Sequence, residues 1–130
     1  MTCPACGSDV VVFAVPPSLR PHAPGAGGTA AICASCLRTH PTDRSAVAEP
    51  PFEAVHSAFP TGKAGAALAL TLGLLDSLAL RRADIDDCCS HAERAGADVL
   101  LTLDRLATAG GVDPHFDADR RRVQLAEMLG

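Results

Sequence analysis

The feature that most constrains this chain is a pair of CxxC motifs near its start. They place four cysteines within the first 36 residues, with 26 residues between the motifs: Cys3, Cys6, Cys33 and Cys36. A tetrahedral thiolate site needs four sulfurs around one ion, at metal–sulfur distances of about 2.3 Å for zinc. Each CxxC turn supplies two of them, so the spacing predicts one closed four-cysteine metal site.

The residues that flank the two motifs bear on the shape of each turn. Pro4 fixes φ near the value that a metal-binding turn needs, and Gly7 can take the positive φ that points backbone N–H groups at the thiolates. Leu37 occupies the position equivalent to Gly7 in the second motif, where a positive φ costs a leucine about 1 kcal/mol. We expect the second turn either to accept that cost or to adopt a different shape.

The ligand set favours one structural zinc ion, with several alternatives left open. Iron also fits four thiolates, and the two CxxC turns are loosely similar to those of rubredoxin, whose aromatic-rich core is missing from a chain with 3% aromatic residues. Redox CxxC chemistry wants a helix after the motif, whereas residues 10–15 indicate a strand. Two unrelated pairs of reduced cysteines, with no metal, remain an alternative.

His40 can replace a cysteine as ligand, but we expect it to be a loop residue. A filled coordination sphere has no open position for water, so no enzyme is expected.

Other residues that often carry chemistry are better explained by structure. Cys88 and Cys89 are neighbours on a predicted helix and point about 100° apart, so we expect them, with His91 nearby, to pack rather than to bind an ion. Residues 61–63 resemble only the end of a phosphate-binding loop, and residues 113–119 lack the glycine and the glutamate of a calcium loop. The sequence therefore predicts no catalytic residue and no further cofactor.

The pattern of the chain predicts an α+β fold in three parts. Residues 1–45 are predicted to form a small zinc ribbon, residues 46–58 a linker, and residues 59–130 an all-α helical domain. In the ribbon, the β-branched run at 10–15 and the weaker run at 29–32 predict a two-stranded hairpin with two CxxC knuckles. The proline- and glycine-rich residues between these strands, 17–28, predict a flexible surface loop.

The second half predicts three to four helices. They are expected over residues 63–80, 84–95, 98–107 and 114–129, with Thr61, Asp98 and Asp113 as N-terminal caps. The first is apolar on every side, which is typical of a buried helix. Small residues recur along it at every fourth position: Gly65, Ala69, Gly73 and Ser77. We expect this stripe to meet another helix of the chain or a second copy in a homodimer.

Charge and hydropathy limit the classes of partner and location. The net charge of −4 argues against a general nucleic-acid binder. The ribbon nevertheless carries +1, from Arg20, Arg38 and Arg44 against two acids, while its only ring for base stacking is Phe13. The uncharged run at 64–75 is too short for a bilayer, which needs about 20 residues. With no secretory signal at the start, the expected location is the cytoplasm.

Three stretches resemble a family of uncharacterised haloarchaeal proteins. They are CPACG at 3–7, GAALALTLGLLDSLAL at 65–80 and ADVLLTLDRL at 97–106. Those proteins pair an N-terminal CPxCG zinc ribbon with a helical region of unknown function, and the resemblance implies the same four cysteine ligands. We therefore expect a zinc-binding protein that acts through protein contacts or in regulation, without a small-molecule substrate. The alternative is a ribbon that binds nucleic acid in transcription or translation.

Overall fold

An antiparallel sheet occupies the first third of the chain. The computed structural model describes residues 1–129; Gly130, the last residue of the predicted helical domain, lies outside the described residues. The strands are β1 (Val10–Ala14), β2 (Thr29–Cys33) and β3 (Thr39–Pro41), in the order β1-β2-β3. The predicted hairpin is confirmed, with Val12 opposite Ala31. The sheet also has a third strand, β3, that the sequence did not predict.

The segment between β1 and β2 is more ordered than the sequence predicted. Two short 3-10 helices, Pro17–His22 and Pro24–Ala26, replace the expected flexible loop. Each begins with a proline, whose fixed φ suits the first position of a helical turn. Leu19 and Ala23 are buried by these turns. The prediction was wrong because prolines and glycines that suggested freedom instead set a compact conformation.

Four α-helices follow within residues 1–129, which confirms the α+β class. They are α1 (Gly62–Leu74), α2 (Arg82–Arg94), α3 (Val99–Ala107) and α4 (Ala118–Leu129). The first is shorter than predicted, because a 3-10 turn at Leu75–Ser77 ends it. No helix among the described residues has both the length and the apolar content that crossing a membrane requires.

The predicted helix caps have mixed outcomes. Asp98 caps α3, where its Oδ1 accepts a hydrogen bond from the amide of Leu101 at 3.0 Å. Thr61 makes no side-chain capping bond at α1. Asp113 is not the cap of the last helix, which begins five residues later; Asp117 Oδ1 accepts from the amide of Arg120 at 3.1 Å instead. The amide of Asp113 donates to Ser35 O of the ribbon at 2.8 Å, so this residue belongs to the segment that contacts the ribbon ahead of the helix.

One continuous core joins the sheet to the helices. Residues 64–72 of α1 are all buried, and α1 packs against both α2 and β3. Phe52, from a short 3-10 turn (Phe52–Ala54) in the predicted linker, lies between the rings of Phe13 and Phe59, with centroid distances of 5.7 and 5.2 Å. The predicted boundaries at 45 and 58 stay a prediction, but the ribbon and the helices share their apolar interior.

The small residues of α1 let non-helical parts of the chain approach it. A Cβ at Gly65 would lie 2.6 Å from Phe52 Cδ2, and a Cβ at Gly73 would lie 2.9 Å from Thr39 Cβ. Both distances are too short for a real side chain, so glycine is needed at each position. At these two glycines the stripe contacts the Phe52 turn and β3. The sequence had predicted contact with another helix or with a second copy. A homodimer stays a prediction.

A histidine in the first 3-10 turn connects the ribbon to α2. Its ring nitrogens both contact carboxylates: His22 Nδ1 lies 2.7 Å from Asp84 Oδ1, and Nε2 lies 2.7 Å from Asp87 Oδ2. Arg81 also donates a hydrogen bond to Asp84. The pKa of Asp84 is lowered, first by the bond from Arg81 and then by the contact with His22. The ionised carboxylate is therefore the form that holds this contact.

We predict that Asp84→Asn destabilises the protein near neutral pH and not in acid. The lowered pKa means that the carboxylate contributes stability above the pKa of the unfolded state, about 4, and loses it as pH falls through the folded-state value. We expect a loss of about 1 kcal/mol in the free energy of unfolding at about pH 7. Urea unfolding at about pH 7 and pH 3 measures it.

Asp86→Asn is the matched control for this prediction, because Asp86 is exposed on the same helix. It should change the free energy of unfolding by less than about 0.5 kcal/mol at either pH. An equal loss in both variants would show that helix charge, and not the contact with His22 and Arg81, is responsible.

Candidate metal centre

The fold brings the four predicted cysteines together. Their sulfurs all lie within 4.8 Å of one another, and we call them the four-cysteine cluster: Cys3, Cys6, Cys33 and Cys36. The sulfurs of Cys6 and Cys33 are 3.4 Å apart, and those of Cys3 and Cys36 are 3.7 Å apart. In a tetrahedron with metal–sulfur bonds of about 2.3 Å, the sulfurs are about 3.8 Å apart. The cluster therefore fits one tetrahedral ion.

The two CxxC turns, the first knuckle (residues 3–7) and the second knuckle (residues 33–37), have the same backbone construction. Gly7 donates its amide to Cys3 O at 2.8 Å, and Leu37 donates to Cys33 O at 3.2 Å. Their φ angles are +80° and +63°. The second knuckle thus holds Leu37 in the left-handed conformation despite its steric cost. Leu37 is fully buried, and burying its side chain contributes about 1.5–3 kcal/mol, more than the roughly 1 kcal/mol of strain.

Backbone amides of the second knuckle point at a sulfur. The amides of Ser35 and Cys36 each donate to Cys33 Sγ at 3.4 Å. Cys33 itself is the last residue of β2, so the sheet fixes where this turn begins. Such N–H groups stabilise negative charge on a thiolate, as the glycine pattern of the first knuckle had suggested for that turn.

The thiols of Cys6 and Cys33, whose sulfurs are 3.4 Å apart, have pKa values shifted in opposite directions. Hydrogen bonds from Ser8, first from its backbone, lower the pKa of the exposed Cys6 to about 6. Burial raises the pKa of Cys33 to about 12. One sulfur therefore ionises readily, while the other requires a nearby positive charge to do so. A metal cation supplies that charge, because thiolates and not thiols are its ligands.

His40 lies beside the cluster, in β3 and not in a loop as predicted. Its Nε2 is 3.3 Å from Cys3 Sγ. Burial first, then the charges of Arg38 and His115, lower its pKa, so the ring is neutral near pH 7. A thiolate can only accept, and Nε2–H of His40 then donates to it. The local pattern that predicts this strand is weak, because β3 has only three residues and includes a proline.

A second histidine, His115, contacts the second knuckle from the far end of the chain. Its Nδ1 lies 2.8 Å from Cys36 O, and its amide donates to the same oxygen at 2.9 Å. The side chain is 3% exposed. The alternating acids of residues 113–119 had suggested only a weak calcium loop. A contact across 79 residues has no local sequence signal, so this neighbour of the site was missed.

Comparison with known proteins gives a family and no activity. Residues 2–129 match the family described as a family of unknown function, DUF6276. The chain belongs to this family. A search of curated proteins finds no match, and a search of solved structures finds none either.

The other two cysteines of this DUF6276 member lie in the core between helices. Cys88 and Cys89 are fully buried on α2, and Cys89 Sγ donates to Thr71 Oγ1 of α1 at 3.9 Å. Burial raises the pKa of each to about 12, so both are neutral thiols. Neither joins the four-cysteine cluster. Their packing agrees with the expectation from their adjacent positions on a helix.

We predict that iodoacetamide alkylates Cys6 first when the protein is freed of metal. Cys6 is exposed, and its pKa of about 6 makes it mostly thiolate at about pH 7. The rate at Cys6 should rise between about pH 5 and pH 7 and then level off. Peptide mass spectrometry over time measures it. Cys88 is the internal control; its modification at the rate of Cys6 would contradict the prediction.

Proposed function

We propose that this chain is a zinc protein whose four-cysteine site is structural, and that it acts through protein–protein contacts or in regulation and not as an enzyme. The observation that carries the proposal is the spacing of the four sulfurs, which matches the edges of one tetrahedron. Zinc, when bound there, supplies a divalent charge that ties the two knuckles into one unit. The cysteines supply every ligand.

Zinc is preferred over iron on the character of the surroundings. Both metals fit four thiolates. The apolar residue that packs against the buried sulfurs is Val10, an aliphatic side chain. Aromatic residues make up only 3% of the chain, in contrast to the aromatic-rich core of rubredoxin. A reduced four-thiolate site of this kind suits the cytoplasm, where thiols stay reduced, and we propose that location.

The closed ligand set supports a structural and not a catalytic metal. Catalytic zinc has three protein ligands and leaves a fourth position for water. Here four sulfurs are available, and three of them are buried: those of Cys3, Cys33 and Cys36. Metal binding therefore stabilises the fold of the ribbon. A partner would contact the surface of the folded chain and not the metal.

Three observations support a protein partner over nucleic acid. Phe13, the only phenylalanine of the ribbon, is fully buried and cannot stack on a base. Arg38 is engaged by the cluster, since hydrogen bonding to Cys36 raises the pKa of its guanidinium. The overall charge of −4 adds repulsion from phosphates.

A pair of measurements tests the proposed class of partner. Filter binding of single- and double-stranded nucleic acid, from about 50 to 200 mM salt, should show no salt-dependent affinity. Affinity capture from native cell extract with the metal-loaded chain should retain a specific protein, or sedimentation should show a dimer. Tight nucleic-acid binding that weakens steeply with salt would replace this proposal with the nucleic-acid ribbon.

We predict about one zinc ion per chain, lost when a cluster cysteine is replaced. Cys6→Ser should release most of the metal and loosen residues 1–40, because three thiolates no longer close the tetrahedron. Elemental analysis of the purified, never-chelated protein measures the content.

Cys89→Ser is the matched control, since Cys89 is buried on α2 outside the cluster. Its metal content should equal that of the native chain. Equal loss from both variants would mean that the ligand set is wrong, and a native chain without metal would overturn the proposed function.

A further inference from the structure

The segment that leads into α4 is bonded to the second knuckle. Two carbonyls of that knuckle accept three hydrogen bonds. The amide of Asp113 donates to Ser35 O at 2.8 Å, and His115 contacts Cys36 O through both its amide, at 2.9 Å, and its Nδ1, at 2.8 Å. The metal-binding turn and the approach to the last helix are therefore in direct contact.

The same two residues of the second knuckle, Ser35 and Cys36, form bonds on both sides, and the peptide group between them does so through its carbonyl and its amide. Ser35 and Cys36 direct their amides at Cys33 Sγ, each at 3.4 Å, and their carbonyls at the segment before α4. Hydrogen bonds in such a chain polarise and strengthen one another. A cation on Cys33 maintains the thiolate that orients these amides. Without it, the left-handed Leu37 is held by its burial and by the bond from its amide to Cys33 O at 3.2 Å.

Besides these bonds, the start of α4 is anchored by Arg121, whose Nη2 donates to Asp76 O at 3.2 Å, and by few buried side chains. Leu125 is the one fully buried residue of α4 within its described part. Arg122 forms a surface ion pair with Asp104 of α3 at 2.8 Å, and such pairs contribute little. Phe116 is buried just before the helix. A segment with few buried contacts opens at low free-energy cost, so its order depends on the bonds to the knuckle.

We infer that metal occupancy of the four-cysteine cluster is coupled to the docking of residues 112–117 and the start of α4. The inference rests on the proposed metal binding. Bound metal fixes the second knuckle, whose carbonyls then hold Asp113 and His115. Coupling is reciprocal, so the docked segment raises the affinity of the cluster for metal. The segment that leads into α4 thus responds to the metal state of the ribbon.

Amide hydrogen exchange of the full chain, at one pH, tests the first half of the inference. We compare zinc-loaded protein with protein whose zinc a chelator has removed, as verified by elemental analysis. Exchange at the amides of Asp113 and His115 should accelerate more than about tenfold, together with that of the second knuckle. Amides of Leu70 and Ile85, in the core of α1 and α2, should keep their protection. Unchanged exchange at Asp113 and His115 would overturn the coupling.

The reciprocal effect is tested by the affinity for zinc, measured by competition with a chelator. His115→Ala should weaken binding about 5- to 30-fold. His115→Asn should lose much less, because its side-chain amide can donate to Cys36 O in place of Nδ1. His91→Ala, at a half-buried histidine on α2, is the control and should bind as the native chain does.

The outcomes separate the coupling from the proposed function. Circular dichroism confirms that each variant is folded before its affinity is compared. If the native chain binds zinc tightly and His115→Ala binds it equally well, or if His91→Ala loses as much affinity, the coupling is wrong and the zinc protein stands. If the native chain binds no zinc, both proposals are wrong.

Discussion

The conformation of the second knuckle is the constraint on which the rest of the site depends. A leucine in left-handed geometry is unfavourable by about 1 kcal/mol, yet Leu37 adopts it and is fully buried. The core therefore stabilises a turn that the local sequence disfavours. Once the turn is fixed, its two amides face Cys33 and its two carbonyls face the segment before α4. The left-handed Leu37 thus belongs to a turn that contacts Cys33 Sγ on one side and the segment before α4 on the other.

The helix α1 gives this ribbon a fixed place in the molecule. Zinc ribbons need a metal because so small a sheet buries little apolar surface by itself. Here the sheet lies on an apolar helix, and glycines at 65 and 73 let the Phe52 turn and β3 come close to it. The metal site therefore forms part of a larger folded unit. Burial in that unit also sets the chemistry of Cys33, whose pKa is raised by it.

The sequence predicted what depends on local patterns and missed what depends on distant ones. The CxxC spacing identified the four sulfurs that converge, and the cap at Asp98 follows from its own neighbours. His40 and His115 reach the cluster through a three-residue strand and a contact across 79 residues, neither of which leaves a local pattern. The contact of the Asp113 amide with Ser35 O likewise left no local pattern, and the cap predicted there was wrong.

The charge around the cluster supports the proposed structural ion. Four thiolates on a divalent cation leave a net negative charge that must be offset in a partly buried place. Arg38 beside Cys36, the ring of His40 at 3.3 Å from Cys3 Sγ and the two amides on Cys33 all supply positive charge or donors. Groups placed in this way stabilise thiolates already bound. Substrate activation would instead need an open ligand position, so the proposed structural role is the one that four converging sulfurs favour.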